Sequence, residues 1–183
     1  MPYLRCTQKL LHAIGSPRIL PRGETQPTLL GDWYANLLRV GRQQALLFTN
    51  EATLYAVAVL GVRRAACADL PQCFRDHLQQ TLAEERLLPG LLDALLVEYR
   101  DVTLARTASR SVLGSMNDVA RHVAYYVCDA GGPAQCDPET LHRQLNDIPH
   151  QPLGWQTAAE ALRARLLRAE SWPSPRQPRV FLN

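Results

Sequence analysis

WYANLLRVGRQQALLFTNEATLYAVAVLGV, residues 33–62, decides the fold. Its apolar, aromatic and β-branched residues fall in three short runs, broken at Gly41-Arg42 and at Asn50-Glu51. That spacing predicts an antiparallel meander with tight turns. The third run, Thr53 to Leu60, carries alanines that also suit a helix, but Tyr55, Val57 and Val59 favour a strand. Trp33, at a strand start, reads as packing rather than as a base-stacking platform. Asn36 and Asn50 read as amides that satisfy nearby backbone groups.

Working outward, Tyr3 to Cys6 has the length of a short strand, and Thr7 is placed to cap a helix from Gln8 to Ile14 that stops at Gly15. Residues 15–31 hold prolines and glycines and predict an irregular connection. After the meander the periodicity changes. Leu70, Phe74, Leu78 and Leu82 recur at helical spacing behind Asp69 as cap and Pro71 in the first turn, giving a helix to about Leu87. A second helix is expected over Pro89 to Tyr99, a strand over 102–106, and a helix over 111–128 with Val112, Met116, Val119, Val123 and Val127 as its apolar stripe. Gly131-Gly132-Pro133 breaks the chain. Asp137-Pro138-Glu139 opens a further helix and Thr157 to Leu167 makes another.

The expected architecture is therefore α+β: a small, mainly antiparallel sheet from 3–6, 33–62 and 102–106, packed against the helices of 69–99 and 111–128. Residues 1–130 form the core domain in this reading, 131–170 a helical appendage packed on it, and 171–183 a Pro-rich extended tail. With 183 residues, the chain is long enough for one domain with an ordinary hydrophobic core.

Composition narrows the function classes. Of the 20 cationic side chains only Lys9 is a lysine, and the net charge of +3 is too mild to demand nucleic acid while permitting it. Cysteines at 6, 67, 73, 128 and 136 are odd in number and form no two-residue-spaced pair, so neither a zinc site nor a disulfide framework is expected. Buried free thiols are the reading for all of them, in a cytoplasmic protein. No stretch has the length of a signal peptide core or a membrane span, and no membrane partner is expected. His12, His77, His142 and His150 are too scattered in sequence to nominate a metal site.

The chemistry worth testing lies between Arg106 and His122. Ser111, Ser115, Asp118 and His122 are spaced to share a helix face. Ser115 and His122 lie roughly 10 Å apart along a helix with Asp118 between them, the wrong order for a hydrolytic triad. Glycines two before and two after the serine are also missing. No catalytic residue is assigned. If the helix instead begins at Ser115, that residue and Asp118 approach a capping box, and the free N–H groups of Ser115, Met116 and Asn117 beside Arg110 make a cradle for an anion. The preferred reading is structural: a capped helix, with Arg110 held by an internal acceptor such as Asp118. The ligand-binding candidates are thus Arg106, Arg110, Ser111, Ser115, Asn117, Asp118 and His122. Arg5, Lys9, Arg39 and Arg42 are the candidates for a nucleic-acid surface, with no metal and no cofactor.

Four blocks carry a family resemblance: Arg5-Cys6-Thr7-Gln8-Lys9-Leu10-Leu11, Trp33-Tyr34-Ala35-Asn36-Leu37-Leu38, Leu47-Phe48-Thr49-Asn50-Glu51-Ala52-Thr53-Leu54 and Arg110 to Asp118. In this order they resemble the signature of an uncharacterised bacterial domain family of unknown function, which implies that the blocks belong to one domain and brings no catalytic residues. Leu145-Asn146-Asp147-Ile148-Pro149 with Leu153-Gly154-Trp155 resembles the tail that follows the integrase core of some insertion-sequence transposases. Nothing upstream supplies the spaced metal-binding acids of those enzymes, so this run reads as a compact turn entering a helix. The leading expectation is a non-enzymatic interaction or regulatory module, of the accessory kind that travels with mobile or defence genes, acting on a protein partner or as a homo-oligomer. The alternative is a nucleic-acid-binding or nucleic-acid-processing protein with an arginine-lined surface, and an enzyme acting on a small phosphorylated ligand comes third.

Overall fold

The computed structural model describes residues 2–15, 28–63, 69–85, 87 and 90–169. Their strands are β1 (Tyr3–Cys6), β2 (Trp33–Val40), β3 (Gln43–Asn50), β4 (Ala56–Val59) and β5 (Thr103–Arg106). The helices are α1 (Gln8–Ala13), α2 (Leu70–Glu84), α3 (Leu91–Glu98), α4 (Arg110–Asp129), α5 (Pro138–Asn146) and α6 (Ala158–Ala169). The strands form one sheet in the order β4-β3-β2-β1-β5.

The meander is antiparallel, with Trp33 opposite Asn50 and Leu46 opposite Val59. Val40 pairs with Gln43 across a two-residue turn in which Gly41 takes the left-handed φ of 59°. β1 lies inside the sheet and runs parallel to both β2 and β5, with Arg5 opposite Tyr34 on one side and Ala105 on the other. The fold is the expected α+β, a mostly antiparallel sheet with helices on it.

Both faces of the sheet are covered. Leu4, Trp33, Leu46, Phe48 and Val57 enter one core with Phe74 and Leu78 of α2, Leu95 of α3 and Leu162 of α6. Tyr34, Val40, Leu47 and Ala58 face the other way, toward Val112, Met116, Val119 and Val123 of α4 and Leu141 and Leu145 of α5. Two-sided burial explains why β3 and β4 read as nearly continuous apolar runs instead of alternating ones. Trp33 sits in the core, 5.4 Å from the ring of Phe74 and 6.4 Å from that of Tyr99.

The predicted caps of three helices form. Thr7 accepts from the Leu10 N–H, Asp69 from Gln72 and Asp137 from Thr140. Asn50 organises the turn into β4: its Oδ1 accepts from Thr53 N–H at 3.0 Å, and its Nδ2 donates to the Leu30 carbonyl at 2.9 Å. Among the described cysteines no disulfide forms. Cys6 and Cys73 are buried as expected, and burial pushes the Cys6 thiol up to about 12. Cys128 is exposed, against expectation, because it lies on the outer face of α4. Cys67 and the tail expected over 171–183 lie outside the described residues.

α5 is joined to the sheet through its polar side chains. β4 is an edge strand, and the Asn146 side chain behaves toward it like a strand neighbour, with Oδ1 accepting from Ala56 N–H at 2.7 Å and Nδ2 donating to Ala56 O at 2.9 Å. His142 Nε2 lies 3.1 Å from the N and 3.0 Å from the O of Ala58 and bonds one of them according to its tautomer. α6 is tied across to α2 by Arg163, whose Nη2 donates to Glu85 at 3.0 Å while the Tyr55 hydroxyl donates to the other carboxylate oxygen at 2.7 Å. No helix among the described residues is long and apolar enough to cross a membrane.

Candidate functional site

The four signature blocks converge at one place. Arg5 of β1, Tyr34 of β2 and Thr49 of β3 are register neighbours on the face that α4 covers. Arg5 is almost fully buried and bonded to Asp32, with Nε at 2.7 Å and Nη2 at 2.6 Å from Oδ2. Asp32 Oδ1 accepts from Tyr3 N–H at 2.9 Å, and the Arg5 guanidinium lies 5.1 Å from the Tyr3 ring centroid. Next to this pair, the Tyr34 hydroxyl accepts from Ser109 N–H at 2.9 Å and Ala108 N–H at 3.4 Å, pinning the chain as it enters α4.

Glu51 completes the cluster. Burial and the neighbouring Asp32 raise its pKa above the usual carboxylate value, while Arg5 and a bond from Tyr34 partly offset that rise. Burial likewise raises the Tyr34 phenol. Thr49 Oγ1 is buried in the same row with no hydrogen-bond partner among the described residues. The cluster is internally satisfied at Arg5 and Asp32, and Glu51 is its half-exposed member.

The helix start differs from the capping-box reading. α4 begins at Arg110, capped by Ser109, whose hydroxyl accepts from Val112 N–H at 3.3 Å. Ser115 is therefore a buried mid-helix residue, and the N–H groups of Ser115, Met116 and Asn117 are spent within the helix. Asp118 caps nothing. It is exposed and pairs with Arg121 at 2.7 Å. Arg110 is exposed too, and no hydrogen bond or ion pair joins it to a described residue, so the internal acceptor expected for it is not found. Tyr34 is the physical reason: by taking the N–H groups of residues 108 and 109 it sets the helix start near residue 111, as the helix expected over 111–128 has it, and not at Ser115.

Arg106, Arg110 and Ser111 lie exposed around this helix start, whereas Asn117 and Asp118 sit about two turns along. His122 is half-exposed, stacked at 6.1 Å on Tyr126. His150 is buried with no partner for Nε2 among the described residues; burial first, then the charge of His122, lowers its pKa.

The nucleic-acid candidates separate. Arg5 is inside the protein, but Lys9, Arg39 and Arg42 are exposed and line one concavity of about 400 Å³ with Leu37, Leu38, Gln43 and Gln44. Its lining comes from the end of the β2–β3 hairpin and from Lys9 of α1. No carboxylate is among these lining residues. Sequence reading missed Asp32, Glu51, His142 and His150. Asp32 lies beside one signature block and Glu51 within another, but nothing local marks them as partners of Arg5. No group of three or more His, Cys, Asp or Glu among the described residues is arranged to hold a metal ion.

The domain of unknown function DUF6933 matches residues 3–161, and the chain belongs to that family. No curated protein and no solved structure matches the chain.

Proposed function

Starting from membership in DUF6933, we propose that this chain is a non-enzymatic interaction module of the bacterial cytoplasm whose partner is a polyanion, a nucleic-acid backbone. The observation that carries this reading is the concavity in which Lys9, Arg39 and Arg42 meet without a lining carboxylate. Guanidinium forks and an ammonium group on a glutamine-bearing rim suit phosphate oxygens, with Gln43 and Gln44 adding neutral hydrogen bonds. The leucines give no base-reading pattern, so the reading is contact with backbone and little sequence preference.

Titration of labelled single- and double-stranded oligonucleotides across salt concentrations tests the proposal. Three phosphate contacts predict a slope of log affinity against log salt of about −2 to −3. Arg39→Ala with Arg42→Ala should weaken binding uniformly across sequences and flatten that slope by about 1.5 to 2. A wild type that binds no oligonucleotide at low salt refutes it, as does a slope unchanged in the double variant.

A second reading, a protein partner or homo-oligomer, rests on Tyr125 and Trp155, which are 64% and 70% exposed. Trp155 is held at a left-handed φ of 68° in a hydrogen-bonded turn that projects it outward. Concentration-dependent mass in solution, lost in Trp155→Ala, is the result that would favour it.

A further inference from the structure

We propose that α5 is an acid-labile clasp on the β4 edge, opened by protonation of His142. An edge strand presents outward N–H and C=O groups that must be covered or they template pairing with another strand. Here the outward groups of Ala56 and Ala58 are taken by the side chains of Asn146 and His142. Asparagine does not titrate. Histidine does, and His142 is the member of the clasp that changes charge in the range of mild acid.

The geometry makes neutral His142 the competent form. Its Nδ1 lies 3.3 Å from Thr81 Oγ1 and its Nε2 lies between the N and O of Ala58. A neutral ring has one acceptor nitrogen, so it can accept from Ala58 N–H through Nε2, or donate to Ala58 O while accepting from Thr81. Imidazolium has no acceptor, so the tautomer that accepts from Ala58 N–H loses that bond on protonation, and the other loses the bond accepted from Thr81. The added charge also finds poor company. His77 of α2 repels it, while the Ala58 carbonyl of β4 and Asp137 at the start of α5 are the groups that favour it. Burial, the largest effect, lowers the His142 pKa and His77 adds to it, against the Ala58 backbone bond and Asp137, which raise it.

The linkage sign follows. A histidine whose pKa is lowered in the closed state binds its proton when the clasp opens. The clasp is therefore fully stable above the ordinary histidine pKa of about 6.5 and weakens as pH falls below it. If the closed state takes up no proton, opening is favoured about tenfold more at pH 5.5 than at pH 7.5. An uncovered β4 edge is the geometry that accepts an added strand.

Amide hydrogen exchange of the full chain, corrected for the intrinsic pH dependence of exchange, tests this. Ala58 protection should fall about tenfold between pH 7.5 and 5.5, with Ala56 following, while Phe48 in the interior strand β3 holds. His142→Gln, whose amide can still bond Ala58 but cannot charge, should remove most of that fall. Ala58 protection that is independent of pH overturns the proposal. So does a parallel loss at Phe48, or an equal fall in His142→Gln. Should that variant fail to fold, the His142 ring titration by NMR decides on wild type alone: a midpoint below 6.5 supports the clasp, and one at or above 6.5 overturns it.

Discussion

Removing the carboxylate of Asp32 is the sharpest test of how the polar cluster is held. Asp32 has a side chain with 0% exposure against 7% for Arg5, and it receives Arg5 Nε and Nη2 on one oxygen and Tyr3 N–H on the other. Asp32→Ala leaves a buried guanidinium with the Arg106 carbonyl at 3.4 Å and the Tyr3 ring as its remaining contacts. Breaking a buried pair from one side costs about 3–5 kcal/mol, since the surviving charge keeps its desolvation penalty. With a urea dependence of about 2 kcal/mol per molar, the unfolding midpoint should drop by roughly 1.5–2.5 M. The control is the double variant Arg5→Met with Asp32→Asn. It removes both charges while the asparagine Oδ1 still accepts from Tyr3, and it should be more stable than Asp32→Ala. Glu51 adds a pH signature: with Asp32 gone, its carboxyl ionises more readily and partly neutralises Arg5, so Asp32→Asn should be milder at pH 7 than at pH 4.5. Urea titrations of the four proteins at both pH values settle the matter. A loss under about 1 kcal/mol in Asp32→Ala, the size expected of an exposed pair, would refute the reasoning.

Other expectations follow from the same geometry. Ser109→Ala should cost about 1 kcal/mol through loss of the α4 cap, whereas Asp118→Ala should stay within about 0.5 kcal/mol, both read from thermal melts; equal losses would return the cap to Asp118. Asn146→Ala strips Ala56 of two partners at the β4 edge and should cost about 1–3 kcal/mol in chemical denaturation. Glu51→Gln should stabilise the protein at pH 7 and change little at pH 4. A carboxyl whose pKa is raised by folding contributes stability below its unfolded value, and that contribution is lost as pH rises through the folded value. Urea midpoints of wild type and variant that run parallel across that range would contradict it.

The strands, most helices and the caps at Thr7, Asp69 and Asp137 were legible in the chain because each depends on residues within a few positions of one another. Period-two and helical spacing, a proline at the first turn and a side-chain oxygen three residues before an N–H are all local signals. The helix over 111–128 was legible too, but its cap was left open between an earlier start and Ser115, for the complementary reason. Ser109 and Ser115 are equivalent as local caps, and the choice between them belongs to the Tyr34 hydroxyl, which lies 75 residues from Ser109 in sequence. Arg5 looked like surface charge until β1 was placed inside the sheet, between β2 and β5, where its guanidinium meets Asp32. Lys9, Arg39 and Arg42 were already grouped with Arg5 from the sequence, but only packing removes Arg5 from that set and seats His142 and Asn146 on β4. Sequence determines what each segment of this protein tends to be. Which polar groups are buried, and against what, is decided by contacts whose partners carry no mark of one another in the chain, because a buried donor finds its acceptor by proximity in the folded state.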